Sequence, residues 1–382
     1  MDDLALHGAL IGALDGRTRL NTPVLVLDLD ALDRNIARMA EFAAAHGVAL
    51  RPHAKTHKSV DIGRRQLAAG AVGLCCAKLG EAETLAEGGL DGLHITSPVV
   101  SPSAIARLAL LNERLSDLMV VVDHPDNARA LAAAVARTER VLNVIIDIDP
   151  GIMRTGVASP EKAVELAQVI ATLPALRLRG VQCYCGAEQH IEGYADRREA
   201  IAAKTAYLRE VIAALTHAGF PPEIVTGGGT GTHQIDVIEG AFTELQVGSY
   251  VFMDSQYEVC ALVEHGANPY ETSLMVDARV VSANRSEMLV TVDAGFKAFA
   301  TEAGPPQILA GSPKGSMYAF MGDEHGAVVP PSEANDKPGL GDRVTFAAPH
   351  CDPTVNLYDN YHVVRGDELV AIWPVSARGR SR

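Results

Sequence analysis

The sequence lacks the features that membrane, secreted and nucleic-acid-binding proteins need. No apolar run in the 382 residues approaches the roughly 20 residues that cross a bilayer, which argues against a membrane protein. The N-terminus, MDDLALHGAL, carries acidic residues where a signal peptide carries basic ones, so we expect no secretion. The formal net charge of −14 argues against nucleic acid and anionic membranes as partners, because both would repel the chain.

Cysteine is scarce and shows no metal-binding pattern. The cysteines are Cys75, Cys76, Cys183, Cys185, Cys260 and Cys351. No pair has CxxC spacing and no zinc-finger spacing is present. We therefore expect reduced thiols that act as small core residues in a cytoplasmic protein.

The N-terminal two thirds of the chain alternate short apolar runs with longer amphipathic segments rich in Ala and Leu. The runs that predict strands are 24–29, 48–54, 73–78, 92–97, 118–123, 142–148, 177–184, 223–227 and 245–252. Strand–helix alternation is typical of a parallel sheet, so an eight-stranded (β/α) barrel and an open doubly wound sheet both fit. The list contains one run more than the barrel needs.

The pattern changes after about residue 255. Strand-like runs such as EMLVTVDAG and YHVVRGDELVAIWPV are separated there by Gly, Pro and Asn, which predicts an antiparallel β domain. The sequence Arg365-Gly366-Asp367 is a hairpin signal within it. Two domains are also what the length of the chain favours.

A basic segment, RPHAKTHK at residues 51–58, closes the second predicted strand. A strand-end lysine among histidines and an arginine lies in a positive field, which lowers the pKa of its amine and prepares it as a Schiff-base nucleophile. A solvated basic loop is the alternative, and the segment alone does not decide between the two.

Further polar groups follow the later strands, each at a C-terminal strand end. They are Arg154, Tyr184, His190, the glycine-rich run Thr226–Thr232, and Gly248-Ser249-Tyr250. In a barrel these ends form one rim, and the loops after strands seven and eight commonly bind phosphate.

The glycine-rich run, TGGGTGT, is a weak signal by itself. It lacks the ending of a P-loop and the order of a dinucleotide site, and taken alone it is better explained by a tight turn. Its backbone N–H groups and the hydroxyls of Thr230 and Thr232 can nevertheless face an anion. A phosphate cradle and an activated lysine on one rim are what pyridoxal phosphate requires, so we predict a site for this cofactor.

A second candidate site is the segment PHCDPT at residues 349–354. Pro353 biases Asp352 towards an extended conformation, and an extended segment would direct His350 and Asp352 to one face and Cys351 to the other. A nitrogen–oxygen pair suits a divalent metal, with manganese or magnesium favoured and zinc or cobalt left open. A proline-bounded turn is the alternative. Other histidines, His7, His233 and His362 among them, are expected to be surface or core residues.

In combination these motifs resemble a known family. The segments RPHAKTHKSV, DPGIMRTGV, TGGGTGT, TELQVGSYVFMD, PHCDPTVNLYD and WPVSARG are similar to those of the D-threonine aldolase and 3-hydroxyaspartate aldolase family. That family shares its fold with alanine racemase and eukaryotic-type D-serine dehydratase. The resemblance runs from about residue 22 to about residue 379.

The resemblance implies a fold and an assembly. A (β/α)8 barrel over residues 31–254 would carry pyridoxal phosphate, and residues 1–30 with 255–382 would form a mainly antiparallel β domain with a metal site. The first run, 24–29, then joins the β domain, which leaves eight strands for the barrel. Members of the family act as homodimers.

The resemblance also implies which residues form the site. Lys55 would hold pyridoxal phosphate, and His190 would be the catalytic base. The further cofactor-binding residues would be Arg154, Tyr184, Gly228, Gly229, Thr230, Gly248, Ser249 and Tyr257. His350 and Asp352 match the metal ligands. Cys185 and Ala77 depart from the family pattern, in which histidine or glutamine and glutamine, respectively, are found.

The predicted activity is metal-assisted retro-aldol cleavage of D-3-hydroxy amino acids to glycine and an aldehyde. A 3-hydroxy-D-aspartate aldolase, a dehydratase, an amino-acid racemase and a non-catalytic carrier of the cofactor are the alternatives. The dehydratase motif resembles His-x-Cys, whereas His-x-Asp stands here. A racemase needs no metal pair, and a carrier is usually a barrel alone.

Overall fold

A computed structural model of the chain describes residues 2–138, 140–285 and 288–382. It divides into two compact units. The β unit comprises Met1–Ile36, Ser249–Val259 and Asn268–Arg378, and the barrel unit comprises Ala37–Gly248, Cys260–Ala267 and Gly379–Arg382. The cofactor and metal sites predicted for the two domains stay predictions.

The strands and helices follow in chain order. The strands are β1 Val24–Asp28, β2 Ala49–Leu50, β3 Leu74–Cys76, β4 Leu93–Ile95, β5 Leu118–Val122, β6 Leu142–Ile148, β7 Leu176–Cys183, β8 Ile224–Gly227, β9 Glu244–Leu245, β10 Leu274–Ser282, β11 Val290–Val292, β12 Gln307–Ala310, β13 Met317–Phe320, β14 Gly326–Val329, β15 Arg343–Ala347, β16 Asn360–Arg365 and β17 Glu368–Pro374. The α-helices are α1 Asp3–His7, α2 Leu29–His46, α3 Val60–Ala68, α4 Leu79–Glu87, α5 Pro102–Arg114, α6 Pro125–Val135, α7 Pro160–Ala171, α8 Tyr194–His217, α9 His233–Glu239, α10 Ser255–Glu258 and α11 Cys351–Val355. Short 3₁₀ helices lie at Gly8–Leu10, Gly16–Arg19 and Ser249–Val251.

The barrel unit is built on eight parallel strands in the order β2-β9-β8-β7-β6-β5-β4-β3. A parallel bridge between His53 and Cys75 joins the chain just after β2 to β3, so the sheet closes on itself. This confirms the predicted (β/α)8 barrel and excludes the open doubly wound sheet. Each predicted run overlaps an observed strand, but two strands are much shorter than predicted: the run 48–54 is a strand only at Ala49–Leu50, and the run 245–252 only at its first residue, as part of Glu244–Leu245.

The barrel strands are apolar throughout because both of their faces are buried. All of β5 (LMVVV) is buried. Its alternate residues Met119 and Val121 form one cluster with Ile145 and Ile224, while Val120 and Val122 belong to a larger cluster with the helices. The smaller cluster fills the barrel interior, as the two-residue period of a strand requires.

The helices of the barrel begin at residues that satisfy their first N–H groups. The side chains of Ser59, Ser101 and Ser159 each accept the backbone N–H of the residue three positions later, at the start of α3, α5 and α7. Proline follows directly in α5 and α7, where no intrahelical N–H is needed.

The β unit contains a mainly antiparallel sheet in the order β13-β14-β11-β10-β1-β16-β17, with β15 pairing β10 and β12. The first predicted run lies in this sheet as β1, which pairs antiparallel with β10 and parallel with β16. The predicted hairpin is present between β16 and β17, where Gly366 has a φ of 60°. The antiparallel β domain is thereby confirmed.

All six cysteines are free and buried, as expected for small core residues. Across the described ranges, none of the helices combines the length and the hydropathy needed to traverse a bilayer.

His7 and His362, for which the sequence predicts no functional role, form a buried pair in the β unit. His7 Nδ1 lies 2.8 Å from His362 Nε2, and the backbone N–H of Asn21 donates to His7 Nε2 at 3.0 Å. His7 therefore carries its proton on Nδ1 and donates it to His362, whose Nδ1 lies 3.3 Å from the carbonyl of Leu25. One atom each of Asp3, His7 and His362 lies within 4.8 Å of the others, but this hydrogen-bond pattern occupies both imidazoles as a neutral pair.

We expect the free energy of unfolding to fall as the pH drops below 6.5. Burial lowers the pKa of His7, and it lowers the pKa of His362 from 6.5 to about 4. Between pH 6.5 and about pH 4 the unfolded chain binds more protons than the folded chain. The neutral pair therefore contributes fully to the free energy of unfolding above pH 6.5, and this contribution is lost as the pH falls towards 4. One histidine gives a slope of at most about 1.4 kcal/mol per pH unit. Urea unfolding at a series of pH values measures the slope.

The substitution His362→Gln should flatten this pH dependence. His217→Gln, at an exposed position at the end of α8, is the control and should leave it unchanged. An identical slope in both variants would mean that other groups carry the acid sensitivity.

Candidate functional site

A cavity of about 280 Å³ opens at the C-terminal ends of the barrel strands. It is lined by His53, Lys55, Ala77, Thr96, Ser97, Arg154, Gln182, Tyr184 and Gln246. Three residues that the sequence nominated, Lys55, Arg154 and Tyr184, are therefore brought together. All of the lining belongs to the barrel unit.

The basic segment contains two lysines, and only one of them lines the cavity. Lys58 forms a buried ion pair with Glu81, and their side chains are 7 % and 3 % exposed. Lys55 lies on the cavity wall, and its backbone N–H donates to His53 Nδ1 at 3.4 Å. Its amine is thus the one in this segment that a small molecule in the cavity can reach.

Arg154 is presented by a loop that a carboxylate organises. Oδ1 of Asp149 accepts the backbone N–H groups of Gly151, Ile152 and Met153 at 2.8, 2.8 and 3.1 Å. The guanidinium of Arg154 follows this turn and lies 5.6 Å from the ring centroid of Tyr184. A cation beside an aromatic ring can flank a flat, anionic ligand.

A buried network of side-chain amides connects the cavity wall to the barrel interior. Nε2 of Gln182 donates to Asp147 at 2.9 Å, and Oε1 of Gln182 accepts from Gln246 at 3.1 Å. Burial raises the pKa of Asp147 to about 6, although hydrogen bonds from Thr155 and Gln182 oppose this shift. Sequence reasoning missed both glutamines. A polar residue inside an otherwise apolar strand run is the signal that could have found them.

The residue after Lys55 carries a buried hydroxyl that can hydrogen-bond to a polar group. The hydroxyl of Thr56 is buried and has no hydrogen-bond partner among the residues that the structure describes. A Cβ atom at Gly248 would lie 2.7 Å from that hydroxyl oxygen, so glycine keeps the approach open. Because a buried unpaired hydroxyl is costly, this corner fits a ligand oxygen, such as one from a phosphate.

The glycine-rich run is already partly satisfied by its own hydrogen bonds. The N–H of Gly229 donates to the Thr232 hydroxyl at 3.2 Å, and that hydroxyl donates to Asp236 at 2.7 Å. The expectation that the hydroxyl of Thr232 faces an anion is therefore wrong, because the loop itself uses it. Gly228, which has a φ of 70°, and buried Thr230 are the stronger candidates in this run.

Two buried titratable groups, His233 and Asp236, form hydrogen bonds with this run. Burial lowers the pKa of His233 to about 4, and its Nδ1 lies 2.8 Å from the carbonyl of Thr230, to which the neutral ring donates. Burial also raises the pKa of Asp236 to about 7. Burial therefore favours the uncharged form of both groups.

Two predicted cofactor residues belong to the β unit. Ser249 begins a 3₁₀ helix, and Tyr257 lies in α10, whose first turn is capped by the side chain of Asp254. His190, the predicted base, has an exposed side chain in the loop between β7 and α8 of the barrel unit. The roles assigned to these residues stay predictions.

The predicted metal pair lies at the start of a helix and not in an extended segment. His350 has extended backbone angles, but Cys351–Val355 form α11, so the expected alternation of faces is wrong. The physical reason is that proline is tolerated in the first turn of a helix, where its missing N–H is not needed. Asp352 therefore lies in that first turn.

The donor groups of this pair nevertheless fit a divalent metal. Nδ1 of His350 lies 2.8 Å from a carboxylate oxygen of Glu302. A proton donated from Nδ1 to that carboxylate leaves Nε2 as the unprotonated ligand nitrogen, which is the usual arrangement of metal-binding histidines. Asp352 adds an oxygen donor two positions later in the chain, and Cys351 is buried.

Comparison with known proteins agrees with this fold. The alanine racemase N-terminal domain matches residues 27–256, and a serine dehydratase domain matches residues 273–364. A 3-hydroxy-D-aspartate aldolase from Paracoccus denitrificans is 38 % identical over 379 residues, which cover 97 % of this chain and 96 % of the relative. A D-threonine aldolase from Arthrobacter sp. is 38 % identical over 370 residues, which cover 96 % and 95 %.

A solved structure of a member of this family has the same fold as this chain. The D-threonine aldolase from Filomicrobium marinum has a TM-score of 0.90 and 35 % sequence identity, covering 96 % of this chain and 97 % of the other. The fold family is the pyridoxal-phosphate-dependent one that the motifs indicated. With these matches along nearly its whole length, the chain belongs to the alanine-racemase-like family of D-threonine and 3-hydroxy-D-aspartate aldolases, and it is a lyase.

Proposed function

We propose that this enzyme cleaves D-3-hydroxy amino acids of the D-threonine type to glycine and an aldehyde. The proposal rests on one observation. Of the two lysines in the basic segment 51–58, Lys55 is the one that lines the cavity at the C-terminal ends of the barrel strands, and the barrel is that of an aldolase family. The amine, guanidinium and aromatic ring in the lining of this cavity suit pyridoxal phosphate chemically. When bound, it supplies an electron sink for the electrons of the broken Cα–Cβ bond.

The chain's own residues would bind and orient this cofactor. Lys55 would hold it covalently, with Arg154 and Tyr184 flanking the ring. The phosphate-binding set we propose is Gly228, Gly229, Thr230, Gly248 and Ser249, with Tyr257 as a further contact. The unpartnered hydroxyl of Thr56 joins this set on the strength of its burial beside Gly248.

Cleavage requires the β-hydroxyl of the substrate to lose its proton as the carbon–carbon bond breaks. We assign this proton transfer to His190, whose exposed imidazole can accept it. His350 and Asp352 would hold a divalent metal, with Mn²⁺ or Mg²⁺ favoured over Zn²⁺ or Co²⁺. A metal at that position would lower the pKa of the β-hydroxyl.

A second candidate is the cleavage of 3-hydroxy-D-aspartate to glycine and glyoxylate. It is favoured by the relative of that name, which matches this chain as well as the D-threonine aldolase does. Dehydration is less favoured because Asp352 stands where a cysteine completes the dehydratase motif. A cytoplasmic location and a homodimer remain part of the proposal.

Product analysis tests the reaction type. Incubation of the enzyme with D-threonine, pyridoxal phosphate and Mn²⁺ should release acetaldehyde and glycine. Release of a keto acid would identify a dehydratase, formation of the L-isomer a racemase, and no turnover of any D-3-hydroxy amino acid a carrier. A higher kcat/KM for 3-hydroxy-D-aspartate, with glyoxylate released, would select the second candidate.

Lys55→Ala should abolish the visible absorbance of the bound cofactor together with cleavage. The reason is that the side chain of Lys55 supplies the amine that binds the cofactor covalently. Lys58→Arg is the matched control, because it keeps the charge that pairs with Glu81, and it should retain the absorbance. An absorbance spectrum of each purified variant measures the effect, and a Lys55→Ala variant with an unaltered spectrum would overturn the assignment.

His190→Asn should lower kcat about 10²–10⁴-fold, the usual contribution of a positioned base. Cofactor absorbance should persist, because this residue is assigned to proton transfer and not to cofactor binding. Steady-state kinetics on D-threonine measure kcat. A variant with an unchanged kcat would remove His190 from the mechanism.

Chelation should stop cleavage and leave the cofactor absorbance in place. The metal would act on the hydroxyl of the substrate, so its removal affects turnover alone. Dialysis against a chelator, followed by assay and by restoration with Mn²⁺ or Mg²⁺, makes the comparison. Activity that survives exhaustive chelation contradicts the metal role of His350 and Asp352.

A further inference from the structure

The loop between β7 and α8 contains a fully buried polar residue, Gln189. This loop, residues 184–193, carries Tyr184 at the cavity and His190, the proposed base. Gln189 directly precedes His190 and is 0 % exposed. A fully buried side-chain amide in a surface loop must find hydrogen-bond partners inside the protein.

Gln189 finds these partners in its own loop and in the glycine-rich run. Its Nε2 donates to the carbonyl of Cys185 at 3.1 Å and to the hydroxyl of Thr232 at 3.0 Å. Its Oε1 accepts the N–H of Gly231 at 3.0 Å. Both amide protons are thus used, and the side chain links the loop that precedes His190 to the proposed phosphate cradle.

The glycines of the run are explained by the closeness of this contact. A Cβ atom at Gly229 would lie 2.4 Å from Oε1 of Gln189. A Cβ atom at Gly231 would lie 2.0 Å from the main-chain oxygen of Gln189. Any side chain at these two positions would separate the two loops.

A second set of hydrogen bonds fixes the backbone on the C-terminal side of His190. The guanidinium of Arg197 is fully buried and donates to the carbonyls of Ile191 and Ala261. The backbone N–H of Ala261 donates in turn to the carbonyl of Glu192 at 3.0 Å. His190 therefore lies between two fixed points of the chain, Gln189 and the carbonyl of Ile191.

We propose that Gln189 is a positioning residue that couples the glycine-rich phosphate cradle to the catalytic base His190. This inference rests on the proposed function. Its hydrogen bonds hold the cradle in the conformation that accepts a phosphate, and the same bonds fix the backbone from which His190 projects. Weakening the Gln189 contact should therefore impair phosphate recognition and base alignment together.

The test compares Gln189→Met, which keeps the size of the side chain but removes its hydrogen bonds, with Thr232→Val, which removes the shared hydroxyl. Dissociation constants are measured for pyridoxal phosphate and for pyridoxal, which lacks the phosphate. In both variants the ratio of the dissociation constant for pyridoxal to that for pyridoxal phosphate should fall about tenfold. A tenfold change corresponds to the binding free energy of roughly one hydrogen bond. At saturating cofactor, kcat should fall about 10-fold to 100-fold, because small displacements of a catalytic group are costly.

Asn112→Leu is the matched control. The amide of Asn112 is also buried, and it donates to the carbonyls of Arg140 and Val141 just before β6, at the end of the barrel opposite the cavity. This variant should lose stability without changing the preference for phosphate or the pH profile of kcat. In Gln189→Met the pH profile should change as well, because the surroundings of His190 are altered.

The outcomes separate this inference from the proposed function. A phosphate preference and a pH profile equal to those of Asn112→Leu would overturn the role of Gln189. If Gln189→Met does not fold, the same measurements on Thr232→Val decide the test. If the unsubstituted chain releases no aldehyde, the proposed function fails, whereas the binding constants still test the coupling of Gln189 to the cradle.

Discussion

The closure of the barrel at the end of β2 is the constraint on which the site depends. The N–H of His53 donates to the carbonyl of Val247 at 2.9 Å, and the N–H of Ala54 donates to that of Cys75 at 2.8 Å. The chain is therefore held on both sides up to the residue before Lys55. A lysine amine that must meet a ligand in one geometry benefits from such a rigid support. The same closure directs the polar strand ends to one rim.

Side-chain carboxylates and amides form hydrogen bonds that fix the backbone of loops on this rim. Asp149 gathers the N–H groups that precede Arg154, and Gln189 joins two loops that are far apart in the sequence. Such networks stabilise a fold only when each member is satisfied. The buried hydroxyl of Thr56 has no partner within the described part of the chain, and we propose that the cofactor phosphate binds beside it.

The sequence predicted those parts of the molecule that follow from local pattern. The apolar strand runs and their alternation with helices indicated a parallel sheet, the family resemblance selected the barrel, and the polar residues at strand ends indicated the rim. Pattern alone could not assign the first run, 24–29, because an apolar strand has the same pattern in either sheet. The resemblance assigned it to the β domain, and its pairing with β10 and β16 confirms this.

The misses have two physical causes. Local rules compete: Pro353 favours an extended Asp352, but proline also suits the first turn of a helix, as in α11. Side-chain partners that are distant in sequence cannot be found from local pattern. The sequence therefore predicts that the hydroxyl of Thr232 can face an anion, whereas in the structure Asp236 and Gln189 already bind it.

The central claim is that Lys55, and not Lys58, is the amine that reaches the ligand cavity. The most direct measurement is to trap the bound pyridoxal phosphate on the enzyme with borohydride, digest the protein and locate the modified lysine by mass spectrometry. The account predicts a single modification at Lys55. Modification of Lys58, or of a lysine elsewhere in the chain with Lys55 unlabelled, would contradict it.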